Sequence, residues 1–220
     1  MNYIENIFIC LVLPYILILM FIGKKERSFL LFILTGMGTC LLAAYVSSFF
    51  MGYYGADAVT AAVEITPVCE EVMKLLPLLM WMMVYQPEKE KIPVAALLIA
   101  AGFATFENVC YITENGAGDL EFLFTRGITA GAMHILCGLA EGCGVAYVFY
   151  RHWLAFMGII AVMGACIVFH GIYNLLILSD GTWQTAGYLM PVVLLILCHG
   201  IWQMMLKRGS IKNRDIPERG

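Results

Sequence analysis

TPVCEEVMKLLPLL (residues 66–79) is the stretch that decides how the rest of the chain is interpreted. It is mostly apolar, as in a membrane helix, yet it contains Glu70, Glu71 and Lys74. A charged side chain near the bilayer centre costs about 2.5–3.5 kcal/mol on insertion scales, so such residues face the protein interior or a wet cavity. The stretch therefore predicts a membrane helix that contributes to a buried polar site.

The composition agrees with a membrane protein. Of 220 residues, 61% are hydrophobic and 13% are charged, whereas a soluble domain is roughly half apolar and about a quarter charged. Blocks of roughly 20 apolar residues can cross a bilayer. Seven such blocks are present, at about 3–22, 28–50, 61–85, 93–112, 126–150, 152–178 and 183–206. We therefore predict an all-α polytopic membrane protein of about seven transmembrane helices, with residues 1–220 forming one integral membrane domain.

The positive charges predict the orientation of these helices. Eleven of the thirteen lysines and arginines lie in four segments on alternate connections: KKER (24–27), PEKEK (87–91), Arg151 and KRGSIKNRDIPERG (207–220). Cytoplasmic loops carry an excess of Lys and Arg, which predicts an N-terminus outside and a C-terminus inside. The net charge of −3 and the absence of a basic patch predict no nucleic-acid partner.

Ionisable side chains on four central helices lie at a similar predicted depth. Glu70 and Glu71 lie about ten residues from the outer surface, or roughly 15 Å at 1.5 Å per residue. His134 and His170 lie about eight residues from the outer ends of their helices at the same rise. Glu107 lies a few residues from its outer end. These helices therefore place the groups in one layer of the outer half of the membrane.

Helical spacing predicts how the acidic pair is held, because residues four apart share a helix face. Glu70 and Lys74 have this spacing in the favourable order, with the acid first. We expect them to form an ion pair, whereas Glu71 has no local partner.

The same spacing singles out residues on the other three helices. Tyr111 shares a face with Glu107, and Asn174 shares a face with His170. Small residues let helix backbones approach closely, and His134 lies in a stripe of them, which predicts a central helix with His134 pointing inward. The stripe consists of Ala130, Gly138, Gly142 and Ala146.

Three other ionisable residues give weaker indications of a functional site, and they are Glu64, Glu141 and His199. Glu64 lies near the outer interface, where we expect it to be solvated. Glu141 lies about two turns deeper than His134 at 3.6 residues per turn, where it caps a polar channel or pairs with another helix. His199 is alone on the last helix, where a structural role is expected.

Prolines and cysteines complete the sequence evidence. Pro67 and Pro77 flank the acidic pair, and proline in a membrane helix frees carbonyls that neighbours or water must satisfy. A bend with access for water is therefore expected.

No CxxC spacing suggests a metal site or a disulfide, so the cysteines are interpreted as apolar packing residues. They are Cys10, Cys40, Cys69, Cys110, Cys137, Cys143, Cys166 and Cys198.

Four motifs follow one another on the central helices. They are EEVMK (70–74, EExxK), FATFENVCY (103–111, with FExxxY), MHILCGLAEG (133–142, with one histidine) and FHGIYN (169–174, HxxxN). In this order they resemble the PrsW family of glutamic-type intramembrane proteases. They are also similar to the wider superfamily of type II CAAX prenyl proteases and a non-proteolytic subunit of gamma-secretase. The resemblance covers about 64–178, with a catalytic core at about 61–178.

The resemblance implies a role for each motif position. The catalytic positions are Glu70, Glu71, Glu107, His134 and His170, and one of the adjacent glutamates would activate water. The orienting or oxyanion-supporting positions are Lys74, Tyr111 and Asn174. At the position of Glu107, the CAAX proteases more often have a histidine. No metal and no cofactor are expected.

The resemblance also implies a function. Members similar to this chain are site-1 proteases that cut membrane-tethered anti-sigma factors on the extracytoplasmic side of the bacterial cytoplasmic membrane. The implied partners are membrane lipid and a single-span substrate protein. The residues leave two alternatives open. One is a zinc-dependent intramembrane protease, and the other is a non-catalytic membrane scaffold or proton-coupled carrier. The oligomeric state is not predicted.

Overall fold

The computed structural model describes residues 3–214, apart from the side chains of residues 152, 202 and 205–214. Within the described residues there are seven helices and no strand, which confirms the predicted all-α class. Their bounds are Ile4–Ile18 (α1), Lys24–Tyr54 (α2), a composite α3, Lys91–Asn115 (α4), Leu120–Val148 (α5), His152–Leu178 (α6) and Thr182–Arg214 (α7). Helix α3 joins Ala58–Thr60, a π-helical turn at Ala61–Ile65, and Thr66–Tyr85. The seven helices coincide with the seven predicted blocks.

Five of these helices are long and apolar enough to cross a membrane: Lys24–Tyr54, Lys91–Asn115, Leu120–Val148, Trp153–Leu178 and Thr182–Ile201. The other two helices do not meet this criterion of length and apolar composition, and each fails it for a different reason. Helix α1 has 15 residues, fewer than the roughly 17–25 that span a bilayer. Helix α3 has three charged side chains between residues 70 and 74. The structure therefore supports a multi-pass membrane protein with five candidate spans.

The orientation remains a prediction. It rests partly on the basic tail at residues 207–220, whose side chains lie outside the described residues.

Aspartates begin two of the helices that carry the polar residues. The Asp57 carboxylate accepts a hydrogen bond from the Thr60 backbone N–H at 2.8 Å, which holds the Asp57 pKa below its usual range. Asp119 accepts from the Phe122 N–H at 3.0 Å, as expected of an N-cap. Helix α5 consequently begins at Leu120, six residues before the predicted boundary at 126. Arg126 thus lies inside a helix and not in a loop.

Helices α2 and α4 pack with their backbones in direct contact. A Cβ atom on Gly36 of α2 would lie 2.0 Å from the carbonyl oxygen of Ile99. A Cβ on Gly102 of α4 would lie 2.0 Å from the carbonyl oxygen of Ile33. Only glycine allows such an approach, as is common between membrane helices.

The predicted small-residue stripe packs α5 against the other side of α4. A Cβ on Gly138 would lie 2.6 Å from the Ala100 Cβ, and one on Gly142 would lie 2.7 Å from the Pro93 Cα. His134, in the same stripe, is fully buried. The prediction that α5 is a central helix with His134 pointing inward is therefore confirmed.

We expect Gly36→Ala and Gly102→Ala each to lower the free energy of unfolding by about 1–3 kcal/mol, the usual range for overpacking. Reversible unfolding of the purified protein in micelles measures this. Gly52→Ala on α2 is the matched control, because a Cβ there has no neighbour within 4 Å. It should be neutral or slightly stabilising, since glycine disfavours helices. Equal stability of all three variants would contradict the close approach.

Candidate active site

The structure brings six predicted ionisable side chains together in the interior of the bundle. Helix α3 supplies three of them, and helices α4, α5 and α6 supply one each. Glu71 and His134 are completely buried, and Glu107 is the most accessible, with 24% of its side chain exposed. The six are Glu70, Glu71, Lys74, Glu107, His134 and His170.

A buried ion pair lies at the centre of this group. The Lys74 Nζ lies 2.7 Å from Oε2 of Glu71, and both side chains are almost fully enclosed. The predicted pair of Glu70 with Lys74 was therefore wrong, and so was the expectation that Glu71 lacks a local partner. Residues three and four apart are both neighbours on a helix. Here Glu71, three residues before Lys74, faces the bundle interior. Lys74 therefore pairs with Glu71 and not with Glu70.

The same Glu71 carboxylate orients a histidine of α6. Its Oε1 lies 2.6 Å from Nδ1 of His170. Because a carboxylate can only accept a hydrogen bond, Nδ1 carries the proton, and the lone pair of a neutral His170 is on Nε2. That nitrogen lies 3.7 Å from Oε2 of Glu70.

Lys74 in turn orients the histidine of α5. Its Nζ lies 3.2 Å from Nδ1 of His134, while Nε2 of the same ring lies 2.7 Å from Oε2 of Glu107. An ammonium group has no acceptor, so Nδ1 accepts from Lys74 and Nε2–H donates to Glu107. The five side chains form one continuous hydrogen-bonded and ion-paired run, which we call the buried polar chain. Its order is Glu107, His134, Lys74, Glu71 and His170.

An arginine that was not among the predicted site residues holds the Glu107 end of the buried polar chain. Arg126 donates to Oε1 of Glu107 at 3.0 Å and to Oδ1 of Asn108 at 2.8 Å. Its guanidinium stacks on the Tyr111 ring, 3.9 Å from the centroid. Tyr111 thus supports Arg126 and not the acidic pair directly. The available signal was spacing, because Arg126 precedes His134 by eight residues, two turns along the same helix face.

Glu70 is the glutamate of the cluster that does not belong to the buried polar chain. Its Oε2 is buried and has no hydrogen-bond partner among the described residues. The nearest basic atom is Nε2 of His170 at 3.7 Å. A buried polar atom without a partner is rare in native structures and points to a ligand, an ion or a catalytic role.

A cavity of about 280 Å³ adjoins these groups. His170 and Glu107 form part of its wall, together with the rings of Tyr111, Phe122, Tyr173 and Tyr188. It lies between α4, α5, α6 and the first turns of α7.

Asn174 connects α6 to the π-helical turn of α3. Within that turn the Thr66 N–H bonds to the carbonyl of Ala61, five residues back. The next bond of this kind would run from residue 67 to the carbonyl of Ala62, but residue 67 is proline and has no N–H. The Asn174 Nδ2 donates to that carbonyl instead, at 2.8 Å. Asn174 therefore satisfies the group that Pro67 frees. The oxyanion-supporting role of its amide stays a prediction.

Gly171 strengthens the same junction. A Cβ atom there would lie 2.9 Å from the carbonyl oxygen of Val63. The two contacts fix α6 against α3 next to His170, and they set the distance from His170 to the acidic pair.

Other polar residues lie apart from the buried polar chain. Glu64 is exposed, as predicted. Glu141 is buried, and its Oε1 has no hydrogen-bond partner among the described residues. His199 is exposed on α7. All eight cysteines are free thiols, and those of Cys137 and Cys166 each bond to the backbone carbonyl of the other, at 3.8 and 3.7 Å.

Comparison with known proteins bears directly on this site. A family model described as PrsW family intramembrane metalloprotease matches residues 24–209, which contain every helix of the site. No curated protein matches the chain. No solved structure matches it either.

The family description raises the question of a metal. Glu70, His134 and His170 each offer a ligand atom, and these atoms lie within 4.8 Å of one another. Glu70 and Nε2 of His170 are free to bind, and Glu71 supports His170 as carboxylates support metal-bound histidines. His134 does not fit, because Lys74 occupies Nδ1 and Nε2 carries the proton donated to Glu107. Catalytic zinc has three protein ligands, so this arrangement fits a metal only in part.

We expect Asn174→Ala to lower the free energy of unfolding by about 1–3 kcal/mol, because it leaves the Ala62 carbonyl without a donor. Pro67→Ala returns a backbone N–H in register with that carbonyl. In the Pro67→Ala background, Asn174→Ala should therefore cost less than in the parent protein. A double-mutant cycle by reversible unfolding in micelles measures the coupling. Strictly additive losses would show that Asn174 does not replace the missing N–H.

Proposed function

Because the chain belongs to the PrsW family of intramembrane proteases, we propose that it hydrolyses a peptide bond of a membrane-tethered protein with water activated by Glu70. The observation that carries this proposal is the Glu70 carboxylate without a hydrogen-bond partner among the described residues, 3.7 Å from Nε2 of His170, whose ring lines the cavity. The other two carboxylates of the cluster have partners within 3.0 Å, since Glu71 contacts Lys74 and His170 and Glu107 contacts Arg126 and His134.

The two adjacent glutamates have different roles in this proposal. Glu71 forms the ion pair with Lys74 and positions His170, so its carboxylate has a structural role and is not the base. Glu70 has an oxygen free to accept a proton from water. The positioning residues Lys74, Arg126 and Tyr111 act through the side chains they contact.

The proposed hydrolysis has two stages, which are attack by water and departure of the amine. Glu70 takes one proton from a water molecule, and the resulting hydroxide oxygen bonds to the scissile carbonyl carbon. The carbonyl oxygen becomes an oxyanion, to which Nε2–H of a protonated His170 donates; Glu71 at Nδ1 stabilises that imidazolium. Glu70 passes its proton to the amide nitrogen, the C–N bond breaks, and a carboxylic acid and an amine leave. Preoriented donors of this kind supply much of the rate enhancement in acyl transfer.

The substrate class is also part of the proposal. The positive-inside pattern supports a position of the polar layer in the outer half of the membrane. A scissile bond close to the extracytoplasmic interface of a single-span protein would reach it. The resemblance to site-1 proteases favours an anti-sigma-factor-like substrate in a bacterial cytoplasmic membrane.

A zinc-dependent endopeptidase is the second candidate, and the grouping of Glu70, His134 and His170 favours it. Metal analysis of the purified protein, with cleavage measured before and after chelation, separates the two. The glutamate proposal expects cleavage to persist in the chelated, metal-free protein. Stoichiometric zinc lost together with activity, and both regained on adding zinc, would favour the second candidate.

In liposomes containing the purified protein and a single-span reporter, we expect Glu70→Gln to reduce cleavage by about 10²–10⁴-fold, the usual contribution of a general base. Glu71→Gln should also reduce cleavage, because His170 loses the carboxylate that orients it. Glu64→Gln is the matched control, because Glu64 lies on the same helix but is exposed. It should cut at the parental rate. Parental cleavage by both active-site variants would refute the glutamate mechanism. A parent that cuts no reporter would favour the non-catalytic alternatives.

A further inference from the structure

The cavity beside His170 has two oppositely charged side chains in its wall, Arg126 and Glu107, and both are paired with protein groups. The Arg126 guanidinium donates to Glu107 and Asn108, and Glu107 also accepts from His134. These groups form closed pairs and leave no uncompensated charge facing the cavity.

The polar side chains deeper in the wall are bonded in the same way. Asn174 donates to a backbone carbonyl of α3. Gln184 donates to the carbonyl of Ile177 at 3.2 Å, and the Tyr173 hydroxyl bonds to Thr129 at 3.1 Å. A ligand group that displaces one of these bonds leaves a buried partner unpaired, which costs about 1–3 kcal/mol.

The rest of the lining is aromatic or aliphatic. The rings of Tyr111, Phe122, Tyr173 and Tyr188 face the cavity, together with Met133 and Ile177. Its volume of about 280 Å³ equals about nine water molecules at about 30 Å³ each, which is enough for one large side chain. Aromatic walls favour aromatic and aliphatic guests.

We propose that this cavity is a specificity subsite that accepts a bulky apolar side chain of the substrate, next to the scissile bond. His170 lies in its wall and also contacts the acidic pair, so a side chain in the cavity belongs to a residue adjacent to the bond cut. This inference rests on the proposed proteolysis and names the residue type that it selects.

The experiment uses a library of single-span fusion proteins in which the extracytoplasmic juxtamembrane segment is randomised. The purified parent protein in liposomes cuts the library, and mass spectrometry maps each cut. We expect Phe, Leu, Met, Tyr or Trp at one position adjacent to the cut, preferred at least about tenfold over Gly or Ala, since pocket complementarity gives factors of this size.

Variants of Ile177 test whether the cavity causes this preference. Ile177→Trp fills the cavity and should shift the preference to small residues, whereas Ile177→Ala enlarges it and should weaken discrimination among the largest residues. Ile172→Trp and Ile172→Ala are matched controls on the same helix, because Ile172 is exposed away from the cavity. Both should keep the parental preference.

The comparison uses ratios between substrates, so a variant that merely folds poorly does not imitate the result. The subsite is overturned if the parent cuts without a positional preference. It is also overturned if Asp or Glu is preferred, because Arg126 would then select the residue, or if Ile177→Trp slows all substrates equally, as blocked water entry would. In each case cleavage by the parent leaves the proposed function standing. A parent that cuts nothing contradicts both proposals.

Discussion

A lysine ammonium and a glutamate carboxylate, 2.7 Å apart and shielded from solvent, are the interaction on which the rest of this site depends. Removing one member of a buried pair strands the other charge, at a cost of about 3–5 kcal/mol. Each partner also binds a histidine, Lys74 through His134 and Glu71 through His170. The pair therefore determines the protonated nitrogen and the orientation of both rings, and Glu70 is left free beside His170. The two adjacent glutamates have different roles because Lys74 forms its ion pair with Glu71 and not with Glu70.

The backbone around the pair is arranged to bring these groups within reach. Glycines allow α2, α4 and α5 to approach closely, which places Glu107 and His134 next to α3. Pro67 interrupts the hydrogen bonds of α3 just before the acidic pair, and Asn174 restores the missing contact from α6. The proline thus acts as an attachment point between two helices. The helix that supplies His170 is held by the turn that precedes Glu70 and Glu71.

Much of this arrangement could be predicted from the sequence, because apolar blocks and intramembrane charges are strong signals. The seven helices, the inward-facing His134 and the convergence of four helices on one polar cluster followed from length, small-residue spacing and depth. The partner of Lys74 did not, since positions three and four residues away are equally close on a helix and only the bundle selects between them. Arg126 was missed because an aspartate cap starts α5 earlier than hydropathy indicates. The contact of Asn174 depends on the π-helical turn, which arises from packing as well as from Pro67.

The most direct test is a double-mutant cycle on the central pair, with Glu71→Gln, Lys74→Met and the double variant measured by reversible unfolding in micelles. Each single variant should lose about 3–5 kcal/mol of unfolding free energy through its stranded charge. The double variant should regain part of that loss, because no unpaired charge remains, yet it should not cleave a tethered reporter, because His170 lacks its carboxylate. Additive losses, or a Lys74→Met variant as stable as the parent, would contradict the central role of the pair.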